Sequence, residues 1–169
     1  MTPRRSSLAV VLLGGLWLAG CAGPRPPAAP DPRLAEAPQA YWRGRLALRL
    51  DTPEPTSYFA SFELSGQAQA GELLLSTPLG TTLAQLRWAP QRALLTSDGR
   101  TRAFDSLDAL ATEATGTAIP IAALFQWLQG QPAAVDGWQV DLSQLNEGRL
   151  QAHRARPAPA AELRLILEP

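Results

Sequence analysis

Arg45-Leu46-Ala47-Leu48-Arg49-Leu50 and Tyr58-Phe59-Ala60-Ser61-Phe62-Glu63-Leu64-Ser65 decide how this chain folds. In the first stretch Leu46, Leu48 and Leu50 alternate with Arg45, Ala47 and Arg49. In the second, Tyr58, Ala60, Phe62 and Leu64 alternate with Phe59, Ser61, Glu63 and Ser65. A period of two belongs to a strand with one apolar face. The same signal continues downstream. Residues 72–76 make a short strand with Leu73 and Leu75 on one face and Leu74 on the other. Thr77-Pro78-Leu79-Gly80-Thr81 then interrupts it, because Pro and Gly forbid a continuous central strand and mark a loop. Residues 82–88 resume the strand, with Ala84, Leu86 and Trp88 on one face. Residues 92–97 and 101–104 flank Asp98-Gly99, a strong hairpin signal.

Two helices are expected next. Asp105 or Ser106 caps the first, and Leu107, Leu110, Ala111 and Ala114 form its apolar stripe. Gly116 ends it. Pro120 stands at the first turn of the second helix and Gly130 just past its end. Ile121, Leu124, Phe125, Trp127 and Leu128 cover most of that helix, so it is buried on several sides or faces something greasy. Trp138, Val140 and Leu142 alternate, as do Leu163, Leu165 and Leu167, and two or three strands close the chain. Residues 150–156 carry the weakest strand pattern. Strands, two helices and strands again, with short connections, imply a mainly β, α+β fold. Its natural form is an antiparallel sheet curled around apolar helices.

The N-terminus is of another kind. Arg4 and Arg5 precede an uncharged apolar run from Leu8 to Leu18, and Ala19 and Gly20 are the small residues a signal peptidase requires. The run is too short for a bilayer, which needs about 20 apolar residues. Cys21 follows directly and is the only cysteine of the 169 residues. A small-residue site ending in Cys resembles the lipobox of bacterial lipoproteins. That resemblance implies cleavage before Cys21, a diacylglyceryl group on its thiol and a third acyl chain on its amine. Residues 1–20 are therefore read as a signal peptide. Residues 21–40, with Pro24, Pro26, Pro27, Pro30, Pro32 and Pro38, are read as an extended tether. Residues 41–169 are read as one domain, enough for a sizeable core.

All fifteen basic residues are Arg. Loss of Arg4 and Arg5 with the leader leaves thirteen Arg against fifteen acidic residues, with no basic run. Nucleic-acid binding has no support, since it needs a concentrated positive patch. His153, the single histidine, stands beside Arg154 and Arg156 without the partners general-base catalysis needs, and reads as a solvated strand residue. Asp105 and Asp108 suit a helix start better than a carboxylate pair. No nucleophile elbow, phosphate loop or metal-ligand spacing appears. No catalytic residue, metal or cofactor is expected. What remains is apolar surface, and from pattern alone an ordinary packed core is favoured over a ligand cavity.

Taken together, several segments of the chain resemble the LolB family, outer-membrane receptors for lipoproteins in Gram-negative bacteria. The resemblance rests on Arg43-Gly44 before an alternating strand, Phe62 through Gly66, and Leu73-Leu74-Leu75 leading into Pro78-Leu79-Gly80. It rests also on Gly116-Thr117-Ala118-Ile119-Pro120-Ile121 with Leu124, Gln126-Trp127-Leu128 and Gly130. Phe62 stands where the family pattern has Trp, and the match fades after Gly130. The family implies an open antiparallel β half-barrel whose helices cover an apolar cavity. It implies that acyl chains of triacylated lipoproteins arrive from the periplasmic carrier LolA and pass to the inner leaflet of the outer membrane, where Cys21 anchors the protein. Ala22 fits that location, since Asp after the lipidated cysteine is the inner-membrane retention signal in enteric bacteria. Leu46, Leu48, Phe62, Leu73, Leu75, Leu86, Trp88, Leu124, Trp127 and Leu128 are the expected acyl-chain contacts. Pattern alone leaves Leu79 free to fold inward or outward. The resemblance turns it outward, as a membrane-inserting residue. A monomer is expected. The rival readings are an assembly lipoprotein that binds a protein partner and has no acyl cavity, and a periplasmic enzyme, which the missing catalytic groups disfavour.

Overall fold

The computed structural model describes residues 40–115 and 119–169. Cys21, the leader, nearly all of the tether, and Gly116 to Ala118 lie outside them. Nine strands form one sheet: β1 (Ala40–Asp51), β2 (Thr56–Gly66), β3 (Gly71–Ser76), β4 (Thr82–Ala89), β5 (Arg92–Ser97), β6 (Arg100–Phe104), β7 (Trp138–Asp141), β8 (Arg149–Arg154) and β9 (Ala160–Leu167). Their order is β6-β5-β4-β3-β2-β1-β9-β8-β7, and every neighbouring pair is antiparallel. β6 and β7 are not paired to each other, so the sheet stays open. The expected half-barrel is observed. Three strands close the chain, and the weakly patterned segment is β8.

Each strand follows from its alternation. Leu48 and Leu50 of β1, and Ala60, Phe62 and Leu64 of β2, are buried on the concave face, while Arg45, Arg49 and Glu63 are exposed on the convex one. The 98–99 turn has positive φ at both Asp98 (50°) and Gly99 (72°), which is what a two-residue hairpin needs to match strand twist. Gly44 sits where β1 passes β9. A side chain there would collide with the Ile166 carbonyl, so the two strands pack this closely only with glycine.

The helices are α1 (Leu107–Thr115) and α2 (Ile121–Leu128). Of the two candidate caps for α1, Ser106 is the one used. Its hydroxyl accepts the Ala109 N–H at 3.1 Å. α2 starts after Pro120, whose carbonyl accepts from Ala123 and Leu124. It ends where Gly130, at φ 79°, donates its N–H to the Trp127 carbonyl. α1 packs on β5 and β6 and against α2. Ile121, Leu124, Phe125, Trp127 and Leu128 of α2 are all buried in the concave side of the sheet.

The two halves of the concave face are filled differently. Phe125 stands edge-on between Trp42 and Trp88, with ring centroids 5.7 and 6.0 Å away. The Trp88 indole N–H donates to the carbonyls of Gln67 and Ala68. Trp127 lies against Trp138 and donates to the Ala133 carbonyl. The buried indole N–H groups of Trp88 and Trp127 therefore have acceptors, as low-dielectric burial demands. Arg154 is buried at an inward position of β8. Its guanidinium lies 5.4 Å from the Trp138 ring centroid and donates to the Pro159 carbonyl at 3.1 Å. Burial holds its pKa below the usual arginine range.

Candidate functional site

Toward the opposite end of the sheet the space between strands and helices is not filled. A cavity of about 440 Å³ lies there. Leu46 and Leu48 of β1, Leu73 and Leu75 of β3, Ala84 and Leu86 of β4, Leu95 of β5 and Leu163 of β9 form its sheet wall. Ala111, Ala114, Ile119, Ile121 and Leu124 form its roof. Ser57, Tyr58, Phe59, Ala60 and Leu83 complete the lining, and all of these but Ala60 are exposed. Among the described residues that line it, none is charged. It falls within the ~300–1,000 Å³ of small-molecule sites and is roughly three times the ~150 Å³ that admits benzene to an apolar interior. Pattern alone favoured an ordinary packed core; a buried core is present, and part of the concave face also lines this cavity.

Six of the ten expected acyl-chain contacts line the cavity: Leu46, Leu48, Leu73, Leu75, Leu86 and Leu124. Phe62, Trp88, Trp127 and Leu128 do not. They belong to the buried core. Alternation assigns a residue to a face of the sheet, not to a position along the barrel, and α2 fills one end of that face. Ile121 and Leu163, which carried the helical stripe and the strand alternation, line it as well, as does Leu95, whose unbroken run Ala93-Leu94-Leu95 assigns no face.

Leu79 follows the end of β3, on the turn between the cavity-lining Leu75 of β3 and Leu83 of β4. The Gly80 N–H donates to the Thr77 carbonyl at 2.9 Å, and the Thr77 N–H to the Thr81 carbonyl at 2.8 Å. The Thr81 N–H also reaches the Thr77 hydroxyl. Gly80 takes φ 87°, which a side chain resists. Pro78 presets the turn. The loop is therefore a built turn with Leu79 at its tip, and Leu79 is 96% exposed. Pattern left its direction open; the structure turns it outward.

Elsewhere little converges. His153 is exposed on β8, in register with Glu162 of β9. Among the described residues no three His, Cys, Asp or Glu side chains come together as metal ligands, and no helix is long and apolar enough to cross a membrane.

An open antiparallel half-barrel over an uncharged cavity, with a leucine displayed on a Pro-Leu-Gly turn, is the arrangement the resemblance implied. The family model of the outer membrane lipoprotein LolB matches residues 40–157. The chain belongs to the LolB family. It is 31% identical to an outer-membrane lipoprotein LolB of Bordetella petrii, over 89% of this chain and 86% of that protein. A Chromobacterium violaceum relative of the same name is 32% identical over 73% of this chain and 68% of its own length. One from Azoarcus is 27% identical over 98% and 95%. As a LolB-family protein the chain is an outer-membrane lipoprotein concerned with lipoprotein localisation, and its sequence holds a single cysteine for a lipid anchor.

Proposed function

We propose that this protein receives the acyl chains of triacylated lipoproteins from the periplasmic carrier LolA into its cavity. It then releases them into the inner leaflet of the outer membrane, to which Cys21 tethers it. The observation that carries this reading is the uncharged cavity of about 440 Å³ between sheet and helices, with the exposed Leu79 on the turn that joins two of its lining strands. Each methylene kept from water contributes about 0.8 kcal/mol, so three acyl chains cannot cross the periplasm free. They move between apolar pockets, and then to lipid, down a gradient of affinity that needs no nucleotide. Leu46, Leu48, Leu73, Leu75, Leu86 and Leu124 contact the chains. Leu79 dips into the bilayer, and its burial contributes roughly 1.5–3 kcal/mol, enough to orient the cavity mouth but not to anchor the protein. The assembly-lipoprotein alternative requires a filled interior, which the cavity speaks against.

The test is binding of a fluorescent fatty acid by the full chain, with displacement by a triacylated lipoprotein. Saturable binding that the lipoprotein displaces is expected. A protein that takes up neither ligand overturns the reading.

A further inference from the structure

β2 is longer than its neighbour. It pairs with β1 from Thr56 to Gly66, but with β3 only from Ser61 onward. Residues 56–60 therefore have β1 on one side and no strand on the other. Where β3 would continue, the chain leaves the sheet as the 77–81 turn. It returns through an irregularity: Leu75 pairs with Ala84 but Ser76 with Thr82, so Leu83 has no partner on β3. The split this leaves is a notch in the margin of the sheet, where β1 and β2 run on past the end of the β3–β4 hairpin.

The lining of the cavity reaches this split. An intact strand lends a cavity alternate residues, because successive side chains face opposite sides. β1 and β3 do so, with Leu46 and Leu48, and Leu73 and Leu75. β2 instead lends four consecutive residues, Ser57, Tyr58, Phe59 and Ala60, and β4 lends consecutive Leu83 and Ala84. That pattern arises where the edge of a strand is itself the wall. Ser57 and Phe59 also line a groove on the outer face with Ala47, Arg49, Glu162 and Arg164. The margins of the split are greasy. Tyr58 is 43%, Phe59 71% and Leu83 44% exposed, and Leu79 stands on the turn that borders it. These are four of the six large hydrophobic residues exposed among the described residues, so the apolar surface is concentrated here.

We propose that the split between residues 56–60 and the 77–83 segment is a lateral port through which acyl chains pass between the cavity and the bilayer. The inference rests on the acyl-transfer reading above and adds its route. Tails leave sideways, between Tyr58, Phe59 and Leu83, directly beneath the membrane surface that Leu79 touches. They do not have to climb over a polar rim.

The test uses the full-length, lipidated protein, a triacylated lipoprotein loaded on LolA, and liposomes of phosphatidylethanolamine and phosphatidylglycerol. Phe59→Glu and Leu83→Glu place charges at exposed positions of the port, so folding, read by thermal unfolding, stays as in the parent. Insertion of cargo is expected to fall about tenfold or more, as loss of a leucine-sized apolar contact entails, while Ile166→Glu, exposed on β9, leaves it unchanged. A parent that inserts cargo beside two variants that insert it equally well overturns the port alone. A parent that takes up no acylated cargo overturns the acyl-transfer reading and the port with it. In a second measurement a photoreactive benzophenone residue replaces Leu83 in the cargo-loaded protein. An adduct through an acyl chain supports the port. An adduct through the cargo's polypeptide marks the free edge as a strand-docking site and overturns it.

Discussion

Phe125 of α2 stands edge-on to Trp88 of β4, with ring centroids 6.0 Å apart and planes inclined by 73°. This contact, and the similar one to Trp42, closes one end of the half-barrel and holds α2 over the sheet. The geometry is the favourable edge-to-face one, worth about 0.5–1.5 kcal/mol beyond the area buried. Phe125→Ala is expected to destabilise the domain by about 3–5 kcal/mol, the range for removing a buried aromatic ring. Urea unfolding measures it. Phe125→Leu keeps most of the volume and should cost less than half as much.

The strands were legible because alternation survives in nearly all of them. β1 and β2 could be read residue by residue, the 98–99 hairpin from its dipeptide, and the bounds of α2 from Pro120 and Gly130. β8 was harder to read. Its inward positions are Leu150, Ala152 and Arg154, so an arginine occupies a core position. It is tolerated because Trp138 and the Pro159 carbonyl receive it, and neither contact shows in the alternation of the strand. The cavity was not legible in the pattern, which favoured a packed core; only the family resemblance implied it, and not its extent. Phe62, Trp88, Trp127 and Leu128 have the same pattern as the cavity leucines, and only the placement of α2 separates them. The split beside β2 had no signal in the residues at all. It depends on where β3 stops relative to β2, which is a matter of register.

Leu75 tests the cavity gently. It is half-buried, lines the cavity from β3 and is followed directly by the sheet irregularity. Leu75→Trp puts an indole into empty space rather than into packed atoms. Fatty-acid binding, followed by fluorescence, is expected to weaken about tenfold, the effect of losing ~1.4 kcal/mol of apolar contact, with the unfolding temperature nearly unchanged. Leu86→Asp is the harsher change. It buries a carboxylate without a partner, so both binding and stability should drop.

Cys21 lies outside the described residues, yet the fold constrains what its loss can do. Among the described residues every buried core residue belongs to the domain beyond it, from Leu48 to Leu165. Cys21→Ala is therefore expected to leave the domain folded, with the circular dichroism of the parent, while removing the lipid. Mass spectrometry of the parent should find Cys21 at the N-terminus with three acyl chains. The variant should lack them and leave the membrane fraction.

Leu79 carries the sharpest expectation. Two backbone hydrogen bonds across the 77–81 turn hold it in place, and its side chain touches almost nothing. An aspartate or glutamate at that tip therefore removes no packing, and Leu79→Glu should unfold at the parent's temperature. Acceptance of cargo depends on the cavity, whose lining does not include Leu79, so transfer from the carrier should also persist. The bilayer step is different. An apolar side chain entering the headgroup region is stabilised by roughly 1.5–3 kcal/mol, whereas a carboxylate there pays for desolvation and meets anionic lipid. Insertion of cargo into liposomes should therefore fall about tenfold or more, with loaded protein accumulating. Leu79→Phe, which keeps the apolar tip, should restore insertion. Equal insertion by the Glu variant, or loss of its fold, would remove Leu79 from the membrane-contact role.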